Sequence, residues 1–317
     1  MGNRTKQMFQ AAYGKFGIGA FNVFSAEQVQ AVFLGARRCQ APILVAVTPA
    51  ARGYLSPEII EGMIRGAGRA FPEVVFSVHL DHGNQSHCLD AIESGFYSSV
   101  MIDASHEEFE ENIRATTEIV RVAHAVDVAV EAELGILGGV EDDISVEARM
   151  ARVTDPDLAA QFVERTGCDS LAVAIGTSHG AYKFKGEAEL EMDVLQRIGE
   201  KLPGFPLVLH GASAVPRSEI ERINAAGGRL GMSASGVPER DIREAIRLGV
   251  CKINIATDMR LIWARAHREF FLDQPDKFDL IVPGKTHIEA LARYVAEKCT
   301  TLGGQGMARM VSEVMDS

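Results

Sequence analysis

VVFSVHLD, residues 74 to 81, is followed at once by His82 and Gly83. Its apolar residues are too few for a helix and too continuous for a half-exposed strand, which predicts a strand buried on both faces. The ionisable pair falls at its C-terminal end. Seven more runs of this kind recur along the chain: IGAFNV (18 to 23), ILVAV (43 to 47), SSVMIDA (98 to 104), AVEAELG (129 to 135), SLAVAIG (170 to 176), PLVLHG (206 to 211) and VCKINIAT (250 to 257). Each gap between them is long enough for a helix. In SAEQVQAVFLGARRC the apolar residues Val29, Val32, Phe33 and Ala36 keep helical spacing, with Ser25 placed to cap the N-terminus. Eight βα units with buried parallel strands predict an α/β fold, a (β/α)8 TIM barrel, because closure leaves no edge strand. A doubly wound open sheet is the alternative, but no G-x-G-x-x-G follows the first strand. The connection at 136 to 169 reads as a long acidic loop. From about 258 onward, helical stretches alternate with QPDKFD and VPGK turns, giving a last barrel helix and an extra C-terminal helical segment.

The whole chain, 1 to 317, is expected to form a single barrel domain. Acids outnumber bases 43 to 32, for a formal charge of −11, so its field repels nucleic acid and anionic membranes. An anionic substrate then requires locally concentrated donors. Five separated cysteines without a C-x-x-C pair suggest neither a disulfide framework nor a thiolate metal site, and they fit a reducing, cytoplasmic setting. Nowhere do 18 uncharged apolar residues run together, and the first twenty residues lack the apolar stretch of a signal peptide.

Asp81, His82, Asp103, Glu133, His179, His210 and Asn254 all fall at or just beyond predicted strand C-termini, which in a barrel form one rim. One histidine there is ordinary; three, each beside Gly or Asp, are the donor set of a catalytic zinc site with an open coordination position. His79, one strand period before Asp81, reads as an interior hydrogen-bonded residue, and His87 as the start of a helix. His106, His124, His267 and His287 read as surface residues. Gly211-Ala212-Ser213 and Gly176-Thr177-Ser178-His179-Gly180 offer small residues whose backbone N–H groups can approach an anion. Lys183 and Arg260 supply positive charge nearby.

Taken together, AFNV (20 to 23), HLDHG (79 to 83), IDAS (102 to 105), EAELGILGGVED (131 to 142), AIGTSHGAYK (174 to 183), LHGAS (209 to 213) and KINIATD (252 to 258) resemble the class II fructose- and tagatose-bisphosphate aldolases over most of the chain. The resemblance implies that His82, His179 and His210 hold a catalytic Zn2+, with Asp103 and Glu133 at a second or alternative metal position. It implies that Asp81 exchanges the proton of the C4 hydroxyl and that Glu141 moves the C1 proton of dihydroxyacetone phosphate. Gly180, Lys183, Gly211, Ala212, Ser213, Asn254, Ile255 and Thr257 correspond to the cradle for that product, with a monovalent cation, Na+ or K+, often nearby. Asn22, Thr48, Ala256 and Arg260 complete the substrate contacts. A phosphorylated ketose as substrate and a homodimer or homotetramer as the assembly also follow from the family.

Asp81 and His82 are adjacent, so a regular strand would send them to opposite faces; a bend at Gly83 is the expected remedy. The family pattern is broken at Phe24-Ser25, where many members carry an Asn pair, and at Thr48, where serine is frequent. Ala256 is common in tagatose-bisphosphate members, whereas Arg260 resembles the arginine that reads the distal phosphate in fructose-bisphosphate members. Fructose 1,6-bisphosphate is the expected substrate, with tagatose 1,6-bisphosphate or another phosphorylated ketose as alternative. A metal-dependent barrel hydrolase usually shows H-x-H on its first strand, where this chain has GAFNV, and a Schiff-base mechanism is disfavoured because Lys252 lies early in its strand.

Overall fold

The computed structural model describes residues 3–136, 138–141, 144–146, 151–179, 190–231 and 237–316, without the side chains of 138–141, 144–146, 178 and 179. In chain order the elements are α1 (Arg4–Ala12), β1 (Ile18–Asn22), α2 (Ala26–Cys39), β2 (Ile43–Val47), α3 (Pro49–Leu55), α4 (Pro57–Ala70), β3 (Phe76–Gly83), α5 (Gln85–Glu93), β4 (Ser99–Ile102), α6 (Phe109–His124), β5 (Ala129–Leu134), β6 (Gly138–Glu141) and β7 (Ile144–Val146). There follow α7 (Pro156–Thr166), β8 (Ser170–Val173), β9 (Ser178–His179), α8 (Met192–Lys201), β10 (Leu207–Leu209), α9 (Arg217–Ala225), α10 (Glu239–Arg247), β11 (Val250–Ile255), α11 (Thr257–Asp273), α12 (Ile281–Thr301) and α13 (Ala308–Met315).

Strands β1, β2, β3, β4, β5, β8, β10 and β11 pair in that order, and β11 returns to β1, so the sheet is a closed parallel barrel. These are the eight runs read from the sequence. The acidic connection after β5 is not plain loop: β6 pairs antiparallel with β7 and parallel with β9, a small sheet of its own. Its glycine-rich composition hid that pairing from a periodicity reading.

Ser25 accepts from the Gln28 N–H and caps α2, whose Val29, Val32, Phe33 and Ala36 are buried against the barrel wall. α12 lies against α2 at Gly35, where a Cβ would come within 2.6 Å of the Ala292 carbonyl oxygen and of Val295. Only glycine permits that approach. The N-terminal end of the barrel is closed by α1, whose Met8, Phe9 and Ala12 cluster with Ile18, Ala20, Leu44 and Ala46. That helix was not legible as a separate element, since its mean polarity is high and only one face is apolar.

Two expectations fail in the C-terminal segment. VPGK is not a turn: Pro283, Gly284 and Lys285 lie in the first turns of α12. Proline is tolerated there because the first amides of a helix have no intrahelical acceptor. His287 is not on the surface either; it is 1% exposed, facing inward from α12, and neither ring nitrogen has a partner among the described residues. Burial, together with the nearby His267, lowers its pKa to about 4. Among the described residues no helix is long and apolar enough to cross a membrane.

Candidate metal centre and active site

The C-terminal rim gathers polar side chains from β1, β3, β4, β5, β10 and β11. On β3 the ladder with β4 shifts register between Leu80 and Gly83, and His82 has φ 50°. The bend therefore falls on His82 itself rather than on Gly83. A bulge with one left-handed residue stores strain, of about 1–3 kcal/mol for a non-glycine residue, and it re-aims two successive side chains toward one site.

Asp81 is 1% exposed and fixed from both sides: Asn22 Nδ2 on β1 donates to its Oδ2 and Asn254 Nδ2 on β11 to its Oδ1, each at 2.8 Å. Burial alone would raise its pKa, but His82, Lys252, His210 and His79 outweigh it and hold the carboxyl well below the usual range. Asp81 is thus an oriented carboxylate, held in its ionised form. His82 Nδ1 lies 2.8 Å from Asp103 Oδ2, and Asp103 Oδ1 accepts from the Ser105 backbone N–H and hydroxyl. His210, just past β10 and fully buried, places Nε2 2.9 Å from Glu131 Oε1. The two imidazoles meet edge to face, with centroids 4.6 Å apart.

Two sets of donor atoms lie close enough to share an ion: Asp81, His82 and His210, and His82, Asp103 and Glu133, each set within 4.8 Å. The residues fit a divalent metal. Each imidazole has one nitrogen engaged by a carboxylate, the arrangement by which metal-binding histidines are oriented. Glu133 Oε2 is buried with no partner among the described residues, and burial and the neighbouring Asp103 raise its pKa well above the ordinary value. Burial would lower the pKa of His82, yet Asp81, Asp103 and Glu133 raise it well above its ordinary value, so this pocket favours positive charge. Both Asp81 oxygens accept from amides, which fixes this carboxylate beside the two imidazoles.

Of the expected substrate contacts, Asn22 and Asn254 touch Asp81, Ile255 ends β11, and Thr48, Gly211, Ala212, Ser213, Ala256, Thr257 and Arg260 follow the C-terminal ends of β2, β10 and β11. The Thr48 hydroxyl is the N-cap of α3, accepting from the Ala51 N–H. Gly211 has φ 63°, which starts the tight turn after β10, and the amides of Ala214 and Val215 further along it donate to Asp258 at 2.8 Å. Asp258 belongs to the first turn of α11 and accepts from the Tyr294 hydroxyl on α12, so Ala214 and Val215, which follow the Gly211-Ala212-Ser213 segment, are tied through it to both helices. Asn254 Oδ1, Asn22 Oδ1 and Thr177 Oγ1 are buried acceptors without partners among the described residues, available to ligand hydroxyls. The Arg260 guanidinium stacks 4.8 Å from the Phe24 ring. The side chains of His179 and Glu141, and all of Gly180 and Lys183, lie outside the described residues; the backbones of His179 and Glu141 sit in β9 and β6.

One group was missed. Lys252, Glu131 and His79 form a buried network beneath the rim: Lys252 Nζ lies 2.8 and 2.9 Å from the Glu131 oxygens and 2.9 Å from His79 Nε2. The interior reading of His79 holds, for its Nδ1 bonds the Ser99 hydroxyl at 2.8 Å. The signal was available. Each member stands two residues before a rim residue, Asn254, Glu133 and Asp81, and a strand repeats its facing every second residue.

The family model for fructose-bisphosphate aldolase class-II matches residues 3–230 and 231–307. The chain belongs to the class II fructose-bisphosphate aldolase family. It is therefore an aldolase, a lyase on a (β/α)8 barrel. It is 44% identical to the fructose-bisphosphate aldolase of Thermus caldophilus over 92% of this chain and 95% of that protein. It is 41% identical to the fructose-bisphosphate aldolase of Giardia intestinalis, over 94% of this chain and 92% of that one. Among solved structures, the YdjI aldolase of Escherichia coli K12 superposes with a TM-score of 0.72 at 31% identity, covering 92% of this chain and 93% of that one. Aldolase chemistry explains why the rim network is built as it is, because a positioned carboxylate beside a cation site can move a hydroxyl proton while the cation stabilises the charge left on carbon.

Proposed function

We propose that this aldolase reversibly cleaves fructose 1,6-bisphosphate to dihydroxyacetone phosphate and glyceraldehyde 3-phosphate with zinc as its metal. The observation that carries this reading is the convergence of His82, His210, Asp103, Glu133 and the doubly amide-held Asp81 on one rim. His82, His210 and His179 would hold the catalytic zinc, and Asp103 and Glu133 a second or alternative position. A bound zinc supplies Lewis-acid stabilisation of the enediolate charge that C3–C4 cleavage leaves. Asp81 takes the C4 hydroxyl proton during cleavage and returns it in the condensation direction, and Glu141 moves the C1 proton. Ser213, Thr257, Gly180 and Lys183 would hold the phosphate of the dihydroxyacetone half with the Gly211 turn, a bound sodium or potassium ion would add positive charge for that phosphate, and Asn254 orients hydroxyls as well as Asp81. Arg260 reads the distal phosphate.

A second reading, tagatose 1,6-bisphosphate as the preferred sugar, is favoured by Ala256, which is 4% exposed at the junction of β11 and α11 and offers no side-chain acceptor there. In both readings the chain works as one barrel domain in the cytoplasm, in a homodimer or homotetramer. The test is the cleavage rate of each sugar with and without EDTA, read as dihydroxyacetone phosphate released. EDTA-sensitive cleavage with fructose ahead is the expected result; full activity after chelation overturns the metal mechanism, and a faster tagatose rate makes Ala256 the better guide.

A further inference from the structure

The buried trio below the rim has no part in the chemistry just described, yet it touches one of the proposed ligands. Glu131 is 2% exposed on β5, and both its oxygens accept from Lys252 Nζ. Oε1 is also 2.9 Å from His210 Nε2. The other His210 nitrogen, Nδ1, is 3.1 Å from Asn254 Nδ2, an amide that can only donate. These partners assign the tautomer: hydrogen on Nε2, lone pair on Nδ1, where a metal would take the place of the Asn254 N–H. We propose that Glu131, clamped by Lys252, is the positioning residue of the metal centre, and that it fixes Nδ1 as the nitrogen His210 offers the metal. The inference rests on His210 being a ligand.

Each partner has one role in this arrangement. Without Lys252, Glu131 would be an unpaired anion in a dry interior beside Asp81 and Glu133, and a third carboxylate free to swing toward the cation. Lys252 and Glu131 are 0% and 2% exposed, so neither reaches substrate. His79 closes the trio from the far side, bonded to Lys252 and to Ser99. The Lys252 ammonium is consequently engaged on two faces, which suits it to hold a charge in place rather than to attack a carbonyl.

The test compares two double variants in which the layer stays uncharged. Glu131→Gln with Lys252→Met keeps an oxygen to accept from His210; Glu131→Leu with Lys252→Met removes it. Zinc affinity, measured by competition with a chromophoric chelator, is expected to fall roughly 10- to 100-fold in the Leu/Met pair and to stay within a few-fold in the Gln/Met pair. The visible absorption of the cobalt-substituted protein is expected to change only in the former. Equal affinities in the two pairs overturn the proposal. His210→Ala serves as the control: unchanged zinc affinity there refutes His210 as a ligand, whereas a loss there with no loss in the Leu/Met pair refutes only the role of Glu131. Nitrogen-15 histidine spectra of the unmutated zinc-loaded protein need no variant to fold, and a His210 ring with its proton on Nδ1 would also overturn the proposal.

Discussion

Replacing Asp81 by alanine should separate the two proton transfers of the reaction. Each Asp81 oxygen accepts an amide proton at 2.8 Å, one from Asn22 and one from Asn254. The substitution removes the proton acceptor and takes from the buried Asn22 amide its Asp81 partner, while the Asn254 amide keeps His210 Nδ1. Loss of general acid–base catalysis at one group amounts to about 10² to 10⁴ in turnover, roughly 3 to 5 kcal/mol of barrier. One amide left without that partner costs about 1 to 3 kcal/mol of stability. For 317 residues the unfolding entropy is about 0.7 kcal/mol/K, so the melting temperature should drop only about 2 to 4 °C. Cleavage is followed by dihydroxyacetone phosphate release, bound zinc by atomic absorption, and Glu141 chemistry by solvent deuterium exchange at C1 of dihydroxyacetone phosphate. Cleavage should collapse while zinc content and C1 exchange persist. Turnover within ten-fold of the parent protein would refute the proton-transfer role, and zinc lost in step with activity would make Asp81 a ligand instead.

Lys252→Met strands the Glu131 anion in the barrel interior, which should cost about 3 to 5 kcal/mol and lower the melting temperature by roughly 4 to 7 °C; a parental melting curve would contradict the ion pair. Phe24→Ala removes the ring beneath Arg260, a contact of about 0.5 to 2 kcal/mol, so KM for the bisphosphate should rise roughly 2- to 30-fold with kcat nearly constant. A ketose phosphate without the distal phosphate should show no change, and an equal change with both would refute the stacking role. His287 binds its proton near pH 4 folded and near 6.5 unfolded, so the unfolded chain binds more protons in that window and stability falls as pH drops through it, by at most about 3 kcal/mol. His287→Leu should flatten urea midpoints between pH 6.5 and 4; an unaltered slope would refute the assignment.

The barrel was legible because its evidence is local: eight apolar runs, each ended by a turn, with room for at least one helix in each gap between them. The rim was legible for the same reason, since a strand terminus can be read from where polar residues begin. What was not legible depends on contacts between distant segments. His287 looks polar in sequence, yet α12 presents it inward because the apolar residues Leu291 and Val295 one and two turns on face the same side. VPGK looks like a turn, but a proline in a first helical turn loses nothing. The bend at β3 was expected from the need to bring Asp81 and His82 together; that His82 itself takes the left-handed backbone depends on the β3 to β4 register, which no single segment specifies.

From its N-terminal end upward, the barrel interior changes character in steps. Near α1 it is filled by Ile18, Ala20, Leu44 and Ala46, which need only exclude water. On β3, β5 and β11 come His79, Glu131 and Lys252, whose charges close on one another; in the ladder Ala46 pairs with His79 and Ile18 with Lys252. The next step brings Asp81, Glu133 and Asn254, whose polar atoms are partly left for ligand. The middle step bears on which of the rim carboxylates stays ionised. Asp81 and Asp103 are held below the usual carboxylate range against the effect of burial, whereas burial and Asp103 raise the pKa of Glu133 well above it. The Lys252 ammonium, 3.7 Å from Asp81 Oδ1 and 2.8 Å from Glu131, supplies positive charge from beneath without entering the reaction site. A cation held by His82 and His210 would add positive charge near Asp81 as well, and so help to keep ionised the carboxylate proposed to take the proton.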